Sequence, residues 1–222
     1  MSKRVSRSGE PGIAPFEKYA RRYDGWFEVH RIAYESELAA LRELVPVRGR
    51  GLEIGVGSGR FAAPLSILMG IEPSMEMAKI ARGRGVELVR GVAEAIPFGD
   101  SLFDHALMVT TICFVRDIDS AFKEVFRILK PGGAFVNGFI DGESPLGKLY
   151  QKSREDNPFY GGANFLGATD VISHLERMGF EAVQPRQTLF RRPGQTEMVE
   201  KSTEGYGKGS FVVVKARRPR ER

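Results

Sequence analysis

Short apolar runs alternate with amphipathic stretches from residue 51 towards the end of the chain. Apolar runs bounded by glycine, proline or charged residues favour buried strands, whereas apolar residues at about every third or fourth position favour helices. This pattern predicts strands at 51–54, 67–72, 86–89, 101–111, 134–140, 181–190 and 210–216. Because helical stretches separate most of these strands, we expect an α/β domain with a doubly wound, mostly parallel sheet.

Aromatic residues at helical spacing dominate residues 16–46, before the first predicted strand. Glycine is a poor helix former, so Asp24-Gly25 predicts a break into two helices. Such a stripe can pack against the core or close over a ligand as a lid, and we expect residues 16–46 to form an N-terminal helical lid. Residues 1–15, with glycine and proline among charged residues, predict a loose basic arm. The members of the stripe are Tyr19, Tyr23, Trp26, Phe27 and His30.

Turn-forming residues locate the remaining elements. Lys130-Pro131-Gly132-Gly133 predicts the end of a helix over 119–129, and Thr169-Asp170 predicts the cap of a helix that ends near residue 178. A brief helix is expected at 60–66 and a loop at 191–209. The polar, glycine-rich segment 141–168 predicts one short helix near 146–152 and a wall of a substrate pocket.

The strand at 51–54 runs into three glycines at alternate positions, Gly55, Gly57 and Gly59. Glycine adopts positive φ and leaves bare backbone at the carboxyl edge of a sheet, where α/β proteins bind ligands. An ordinary glycine-rich turn is the alternative. A dinucleotide-binding fingerprint would need a glycine where the chain has Arg60, and the sequence contains no G-x-x-x-x-G-K-[ST] phosphate loop.

Four motifs that follow in order resemble those of the class I S-adenosylmethionine-dependent methyltransferases, in the small-molecule branch typified by ubiquinone and menaquinone biosynthesis. Glu72 replaces the family's aspartate at the end of the second strand, about 20 residues after Glu53, where an acid can accept hydrogen bonds from ribose hydroxyls. Val92 stands where the family commonly has an aspartate that holds the adenine amino group. The motifs are E-x-G-x-G-x-G at 53–59, E-P-S-M-E-M at 72–77, G-V-A-E-A-I-P-F at 91–98 and R-I-L-K-P-G-G at 127–133.

This resemblance implies a Rossmann-like sheet of seven strands with an antiparallel last strand, and an enzyme that transfers a methyl group from S-adenosylmethionine. Because the sulfonium is an activated donor, positioning can supply much of the rate enhancement, and the sequence names no catalytic base. The implied cofactor residues are Glu53, Gly55, Gly57 and Gly59 at the methionine end, Glu72, Pro73 and Met77 at the ribose and adenine, Ala93 and Glu94 at the adenine edge, and Thr110 under the sulfonium. The candidates for the acceptor side are Tyr23, Trp26, Phe27, His30 and Phe114.

Three other chemistries are weaker interpretations of the same sequence. Residues 156–160, D-N-P-F-Y, look like the signature of DNA amino-methyltransferases but lie far from the fourth strand. Cys113 follows that strand as the nucleophile of a cytosine C5 enzyme would, yet its apolar neighbours favour a small hydrophobic residue. The histidines, at positions 30, 105 and 174, are far apart in sequence, so we expect no metal site.

The distribution of charge along the chain leaves two alternative functions to consider. The 222 residues carry a formal net charge of +5, which is concentrated near the two ends of the chain. An RNA-modifying methyltransferase that uses these basic tails, including residues 217–222, is therefore one alternative. A catalytically silent protein that only binds the cofactor or a partner is another.

Cysteine content and hydropathy indicate the compartment in which the protein works. A single cysteine excludes an internal disulfide, and the chain has no apolar run long enough for a membrane span. Its opening residues lack the apolar region of a secretion signal. We therefore expect a single cytoplasmic domain that methylates a small molecule with S-adenosylmethionine, without a metal and without nucleic acid as its substrate.

Overall fold

The computed structural model describes residues 12–220, which form one sheet covered by helices. The strands are β1 Gly51–Ile54, β2 Met69–Ile71, β3 Glu87–Val89, β4 Phe103–Val109, β5 Leu129–Ile140, β6 Glu181–Thr188, β7 Thr203–Glu204 and β8 Phe211–Arg217. Their order in the sheet is β3-β2-β1-β4-β5-β8-β6-β7. The first five strands are parallel, and β8 is antiparallel to both β5 and β6. The predicted α/β class, the mostly parallel sheet and the antiparallel last strand are confirmed.

The predicted number of strands was wrong, because the sheet has eight strands rather than seven. The additional strand is β7, which lies inside the predicted loop 191–209 and pairs antiparallel with β6. Two residues are too few for an alternating pattern, so no sequence signal marks this edge strand. The bonds from Arg186 to Ser202 Oγ at 2.7 Å and to Glu43 at 2.8 Å hold the segment in place.

The helices are α1 Ala14–Lys18, α2 Ala20–Val29, α3 Arg31–Leu44, α4 Met75–Gly83, α5 Ile118–Ile128, α6 Pro145–Lys152 and α7 Ala168–Arg177. One apolar core joins the sheet to α5 and α7, and a second joins it to α2, α3, α4 and α6. The sheet is thus buried on both faces, as expected for parallel strands. Among the described residues, no helix is both long and apolar enough to cross a lipid bilayer.

The expected break at Asp24-Gly25 does not occur, since α2 runs through both residues and the chain instead breaks at Tyr19 and His30. The cause lies outside the helix. Two arginines hold the Asp24 carboxylate, and Phe27 is buried in the second core. These tertiary contacts outweigh the low helix propensity of one glycine, which is worth about 1 kcal/mol.

Other predicted boundaries also shift for identifiable reasons. Thr169-Asp170 does not cap α7, whose N-cap residue is Gly167 without a side-chain bond. Instead Asp141, just after β5, accepts a hydrogen bond from the Ala168 amide at 3.2 Å. Strand β5 starts at Leu129, directly after α5, and includes the residues expected to separate the two. At 60–66 only a single 3₁₀ turn, Ala63–Leu65, forms.

Candidate cofactor and acceptor site

A cavity lies at the carboxyl ends of β1, β2 and β4, where the sequence predicted the cofactor. All the residues predicted to hold the cofactor line it, apart from Gly59. Gly59 faces away: a Cβ at this position would lie 3.2 Å from the Cα and Cβ of Ala81 in α4. Gly59 therefore allows the glycine loop to pack closely on α4.

Gly57 lines the cavity beside Met77. It has a φ of +55°, and a Cβ there would lie 3.3 Å from the Met77 methyl group. Its amide donates a hydrogen bond to Glu72 Oε2 at 2.8 Å. A side chain at Gly57 would therefore strain the loop and fill space beside Met77.

Backbone amides hold the Glu72 side chain in the cavity. We call the glycine loop 55–59 together with Glu53 and Glu72 the cofactor cradle. Its Oε2 accepts from Gly57, and its Oε1 accepts from the Ser74 amide at 2.9 Å. Burial raises the pKa of Glu72 to about 7, against the lowering effect of these two bonds. Each carboxylate oxygen can accept a second hydrogen bond, so the fixed side chain remains able to bind hydroxyls.

Glu53 is a buried carboxyl with an unsatisfied oxygen. It is 1% exposed, and Oε2 has no hydrogen-bond partner in the described part of the chain. Burial raises the pKa of Glu53 well above its usual value, and the nearby Glu72 adds to the shift. An unpartnered buried acceptor is costly, and a cationic amino group in the cavity would relieve that cost. Glu53 thus fits the methionine end of S-adenosylmethionine.

The loop after β3 supplies Ala93 and Glu94 to the cavity, with Val92 beside them. Glu94 Oε1 accepts a hydrogen bond from the Arg116 amide at 2.9 Å. This bond joins the loop after β3 to the loop after β4, so both sides of the predicted adenine pocket are held together.

Thr110 lines the cavity at the end of β4 and has a φ of +49°, which is rare for a residue with a branched side chain. Its amide donates to the Gly138 carbonyl at 2.7 Å. The next residue, Thr111, donates to the Gly55 carbonyl at 3.1 Å and joins β4 to the glycine loop. Backbone strain of this kind collects at functional sites. The sequence analysis did not identify Thr111.

Cys113 lies beside Thr110, and its thiol donates to the Thr110 carbonyl at 3.5 Å. Burial raises the pKa of Cys113 to about 12, so the residue is a neutral thiol at physiological pH. This state favours the interpretation of Cys113 as a small hydrophobic residue rather than a nucleophile.

Aromatic side chains form the wall opposite the glycine loop. Tyr23, Phe27 and Phe114 line the cavity, whereas Trp26 and His30 do not. Trp26 and His30 stack on each other with ring centroids 4.5 Å apart. Phe16 also lines the cavity, with its ring centroid 5.2 Å from that of Tyr23, and Phe159 packs against both rings without lining the cavity. No sequence motif marks Phe16 as a site residue, whereas Phe159 belongs to the segment 141–168 that was predicted to form a wall of the substrate pocket.

Two acidic residues fasten the N-terminal helices to the cofactor cradle. Asp24 accepts from Arg60 Nε and Nη2 at 2.9 Å each and from Arg84 at 2.8 Å. Burial alone would raise the pKa of Asp24. The hydrogen bonds from the two arginines outweigh this effect and hold the pKa well below its usual range. Glu17 accepts from Ser74 Oγ at 2.6 Å and from the Met75 amide at 2.9 Å. Its carboxylate thus covers the N-terminus of α4.

The weaker chemistries receive no support from the geometry. Residues 156–160 follow α6, and Phe159 packs against the Phe16 ring. His105 is buried beneath Gly51, at the opposite end of β4 from the cavity. Among the described residues, no group of three or more His, Cys, Asp or Glu side chains is arranged to hold a metal ion.

Comparison with known proteins was consistent with the motifs. Residues 52–137 match a family model described as a methyltransferase domain. An uncharacterised protein of Methanocaldococcus jannaschii is 44% identical over 201 residues, which are 90% of this chain and 97% of that protein. A ubiquinone/menaquinone biosynthesis C-methyltransferase of Pseudomonas putida is 28% identical over 166 residues, 65% of this chain and 62% of that protein.

A crystal structure from Thermotoga maritima superposes with a TM-score of 0.89 at 49% identity, over 91% of this chain and 97% of that one. It is described as an S-adenosylmethionine-dependent methyltransferase and possible histamine N-methyltransferase. The chain therefore belongs to the S-adenosylmethionine-dependent methyltransferases. The predicted family is confirmed, and the relatives support its small-molecule branch.

Proposed function

We propose that this methyltransferase acts on a small molecule held between the N-terminal helices and the end of β4. The observation that carries this proposal is that the packed rings of Phe16, Tyr23 and Phe114 line the same cavity as the predicted cofactor residues. Such a space suits a compact acceptor better than a folded nucleic acid. The names of the Pseudomonas and Thermotoga relatives support a small acceptor as well.

The chain's own residues bind and orient the reactants. Glu53 and the glycine loop would hold the methionine end of the cofactor, and Glu72 would hold its ribose. When bound, S-adenosylmethionine supplies a methyl group on a positively charged sulfur. The aromatic rings that line the cavity would exclude water from that centre and favour its positive charge.

No observation favours RNA as the substrate. Arg218 of the basic tail donates to the Leu129 carbonyl at 2.7 Å and lies over the Phe126 ring at 4.9 Å. Its neighbour Arg217 donates to the Gly132 carbonyl at 3.2 Å. These side chains serve the fold. Residues 1–11 of the predicted basic arm and residues 221–222 lie outside the described residues.

Two measurements test the proposal. Calorimetry should show binding of S-adenosylhomocysteine to the wild-type protein and much weaker binding to Glu72→Ala. Methyl transfer from labelled S-adenosylmethionine should label the small-molecule fraction of a cell extract and spare its RNA. Cofactor binding without transfer to any fraction would instead support the catalytically silent alternative. Transfer to RNA alone would contradict a small acceptor.

A further inference from the structure

Glu17 is a partly buried acid of α1 whose carboxylate reaches the start of α4. Its Oε2 accepts hydrogen bonds from Ser74 Oγ at 2.6 Å and from the Met75 amide at 2.9 Å. The Glu76 amide also donates to this oxygen, at 3.5 Å. Three donors thus converge on a single atom, so Glu17 joins α1 to the N-terminus of α4 at one well-defined point.

Ser74 connects the Glu17 carboxylate with the acid that is expected to hold the ribose. The serine is 1% exposed, and its amide donates to Glu72 Oε1 at 2.9 Å. Its hydroxyl gives its single proton to Glu17, so the oxygen can accept from the Met77 amide at 3.3 Å. The two carboxylates therefore take the two donors of one buried serine. Removal of Glu17 would release the Ser74 hydroxyl and loosen the short segment that carries Glu72.

Capping of α4 does not by itself account for Glu17. Ser74 is already the N-cap residue of this helix and accepts from the Met77 amide. The charge of Glu17 also has a cost, because burial raises the pKa of Glu72 to about 7 and the Glu17 carboxylate adds to this rise. Like charges at this distance disfavour each other. Ribose hydroxyls that donate to Glu72 would compensate for the cost.

The apolar cores do not hold α1 in place. The helix has five residues, none of them buried, and it contributes to neither core. A helix of this length is not stable by itself. Nevertheless Ile13, at its N-cap, and Phe16 line the cavity, and the Phe16 ring lies 5.0 Å from that of Phe114. The bonds of Glu17 therefore fix a part of the cavity lining as well as Ser74.

We propose that Glu17 is a positioning residue for the cofactor ribose, which acts on Glu72 through Ser74. This inference rests on the proposed function, because it concerns the ribose of the same cofactor. Glu72 binds the ribose hydroxyls, whereas Glu17 keeps the Ser74 amide and the Glu72 carboxylate in a fixed arrangement. Loss of Glu17 should therefore weaken recognition of the hydroxyls more than recognition of the rest of the cofactor.

The test uses the full-length protein and two probes, S-adenosylhomocysteine and its 2′,3′-dideoxy analogue, which lacks both ribose hydroxyls. Calorimetry gives a dissociation constant for each probe, and their ratio isolates the hydroxyls from the rest of the cofactor. Glu17→Ala removes the acceptor oxygen, whereas Glu17→Gln keeps one oxygen for the converging donors. Lys18→Ala is the control, because Lys18 is an exposed neighbour on α1. Circular dichroism checks that each variant is folded.

The wild-type protein should bind S-adenosylhomocysteine about tenfold or more tightly than the dideoxy analogue, as expected for hydrogen bonds to a charged group. Glu72→Ala should bind the two probes equally. Glu17→Ala should lower the wild-type ratio by about threefold or more, whereas Glu17→Gln and Lys18→Ala should keep it within about twofold. In a Ser74→Ala background, Glu17→Ala should lower the ratio no further, since Glu17 acts through the Ser74 hydroxyl.

An equal loss of affinity for both probes in Glu17→Ala would show that Glu17 only stabilises α4, and would overturn this inference. A ratio that falls as much in Lys18→Ala, or a wild-type protein that binds both probes equally, would overturn it as well. These results would leave the proposed function intact as long as S-adenosylhomocysteine binds. A wild-type protein that does not bind S-adenosylhomocysteine would instead reject the proposed function, and the role of Glu17 would be rejected with it.

Discussion

Single residues in the cradle make separable contributions to binding and to stability. Glu72→Ala removes the carboxylate at the rim of the cavity, so it should weaken S-adenosylhomocysteine binding by about 1–3 kcal/mol, the value of hydrogen bonds to a charged group. Glu76→Ala is a suitable control, because the partly exposed Glu76 side chain on α4 pairs with Lys79, while the bond to Glu17 comes from the Glu76 backbone amide and survives the substitution. If calorimetric titration shows that both variants bind S-adenosylhomocysteine equally well, Glu72 does not contribute to cofactor binding.

The glycine loop allows a matched comparison between neighbouring positions. Gly57→Val and Gly59→Ala both place a side chain at positive φ, and each should reduce the free energy of unfolding by about 1–3 kcal/mol. Only Gly57 borders the cavity, whereas Gly59 faces Ala81. Denaturant titration should therefore show two destabilised proteins, of which only Gly59→Ala binds S-adenosylhomocysteine. Thermal stabilisation of folded Gly57→Val by this ligand would argue against a cofactor role for the loop.

Glu37 in α3 is 3% exposed, and its burial makes the stability of the protein depend on pH. Its folded-state pKa of about 8 lies above the value near 4.5 of an exposed glutamate, so the folded protein binds the extra proton between these values. Stability from this group is complete below about pH 4.5 and is lost as the pH rises towards 8, by at most about 1.4 kcal/mol per pH unit. Denaturant unfolding at pH 5.5 and 7.5 should show a smaller loss for Glu37→Gln than for wild type. An identical loss in both proteins would mean that Glu37 is ionised throughout.

At the scale of elements, the N-terminal helices and the cradle are joined through Asp24. Asp24→Asn removes the charge that holds Arg60 and Arg84, so α2 should loosen and S-adenosylhomocysteine should bind more weakly, by about 0.5–2 kcal/mol. Trp26 in α2 is the only tryptophan, so acrylamide quenching reports on this helix directly. Quenching should increase in Asp24→Asn and decrease when ligand binds to wild type.

Glu28→Gln provides the control for this change. Glu28 is 66% exposed and bonds to the same Arg60, but it does not contact Arg84. Exposed ion pairs contribute little, so the variant should resemble wild type in both measurements. Equal quenching in wild type and Asp24→Asn would show that Asp24 does not hold α2 against the cradle.

At the scale of the whole molecule, the basic C-terminal segment stabilises the fold through Arg218. Arg218 donates to the carbonyls of Phe126 and Leu129 and to Ser101 Oγ. Arg218→Ala should therefore lower the free energy of unfolding by about 1–3 kcal/mol, the range for charged hydrogen bonds. Arg31→Ala, which breaks only an exposed pair with Glu35, should change it by less than about 0.5 kcal/mol. If denaturant titration shows the same free energy of unfolding for Arg218→Ala and wild type, the Arg218 side chain does not stabilise the fold.

The sequence predicts much of this molecule because its strands and motifs are local. Strand β1 and the glycines after it carry their signal within a few residues, and Glu72 follows at a fixed distance along the chain. The contacts that complete the site are not local. Asp24 meets Arg84, and Glu17 meets Ser74, across many intervening residues and with ordinary surface-type side chains. No periodicity marks such pairs, and Glu37 looks from the sequence like any helical glutamate.

The carboxylate of Glu17 over the end of α4 has a kinetic consequence. That helix end carries Ser74 and Met75, directly after the predicted ribose-binding Glu72. We expect the N-terminal helices to move away from α4 when S-adenosylhomocysteine is exchanged for S-adenosylmethionine. This movement breaks the hydrogen bonds of Glu17 and exposes the amides at the N-terminus of α4 before the product leaves. We therefore expect turnover to be limited by how fast this segment opens rather than by the transfer itself, as in many enzymes with closing segments. The residence time of the spent cofactor would then set the pace of the enzyme.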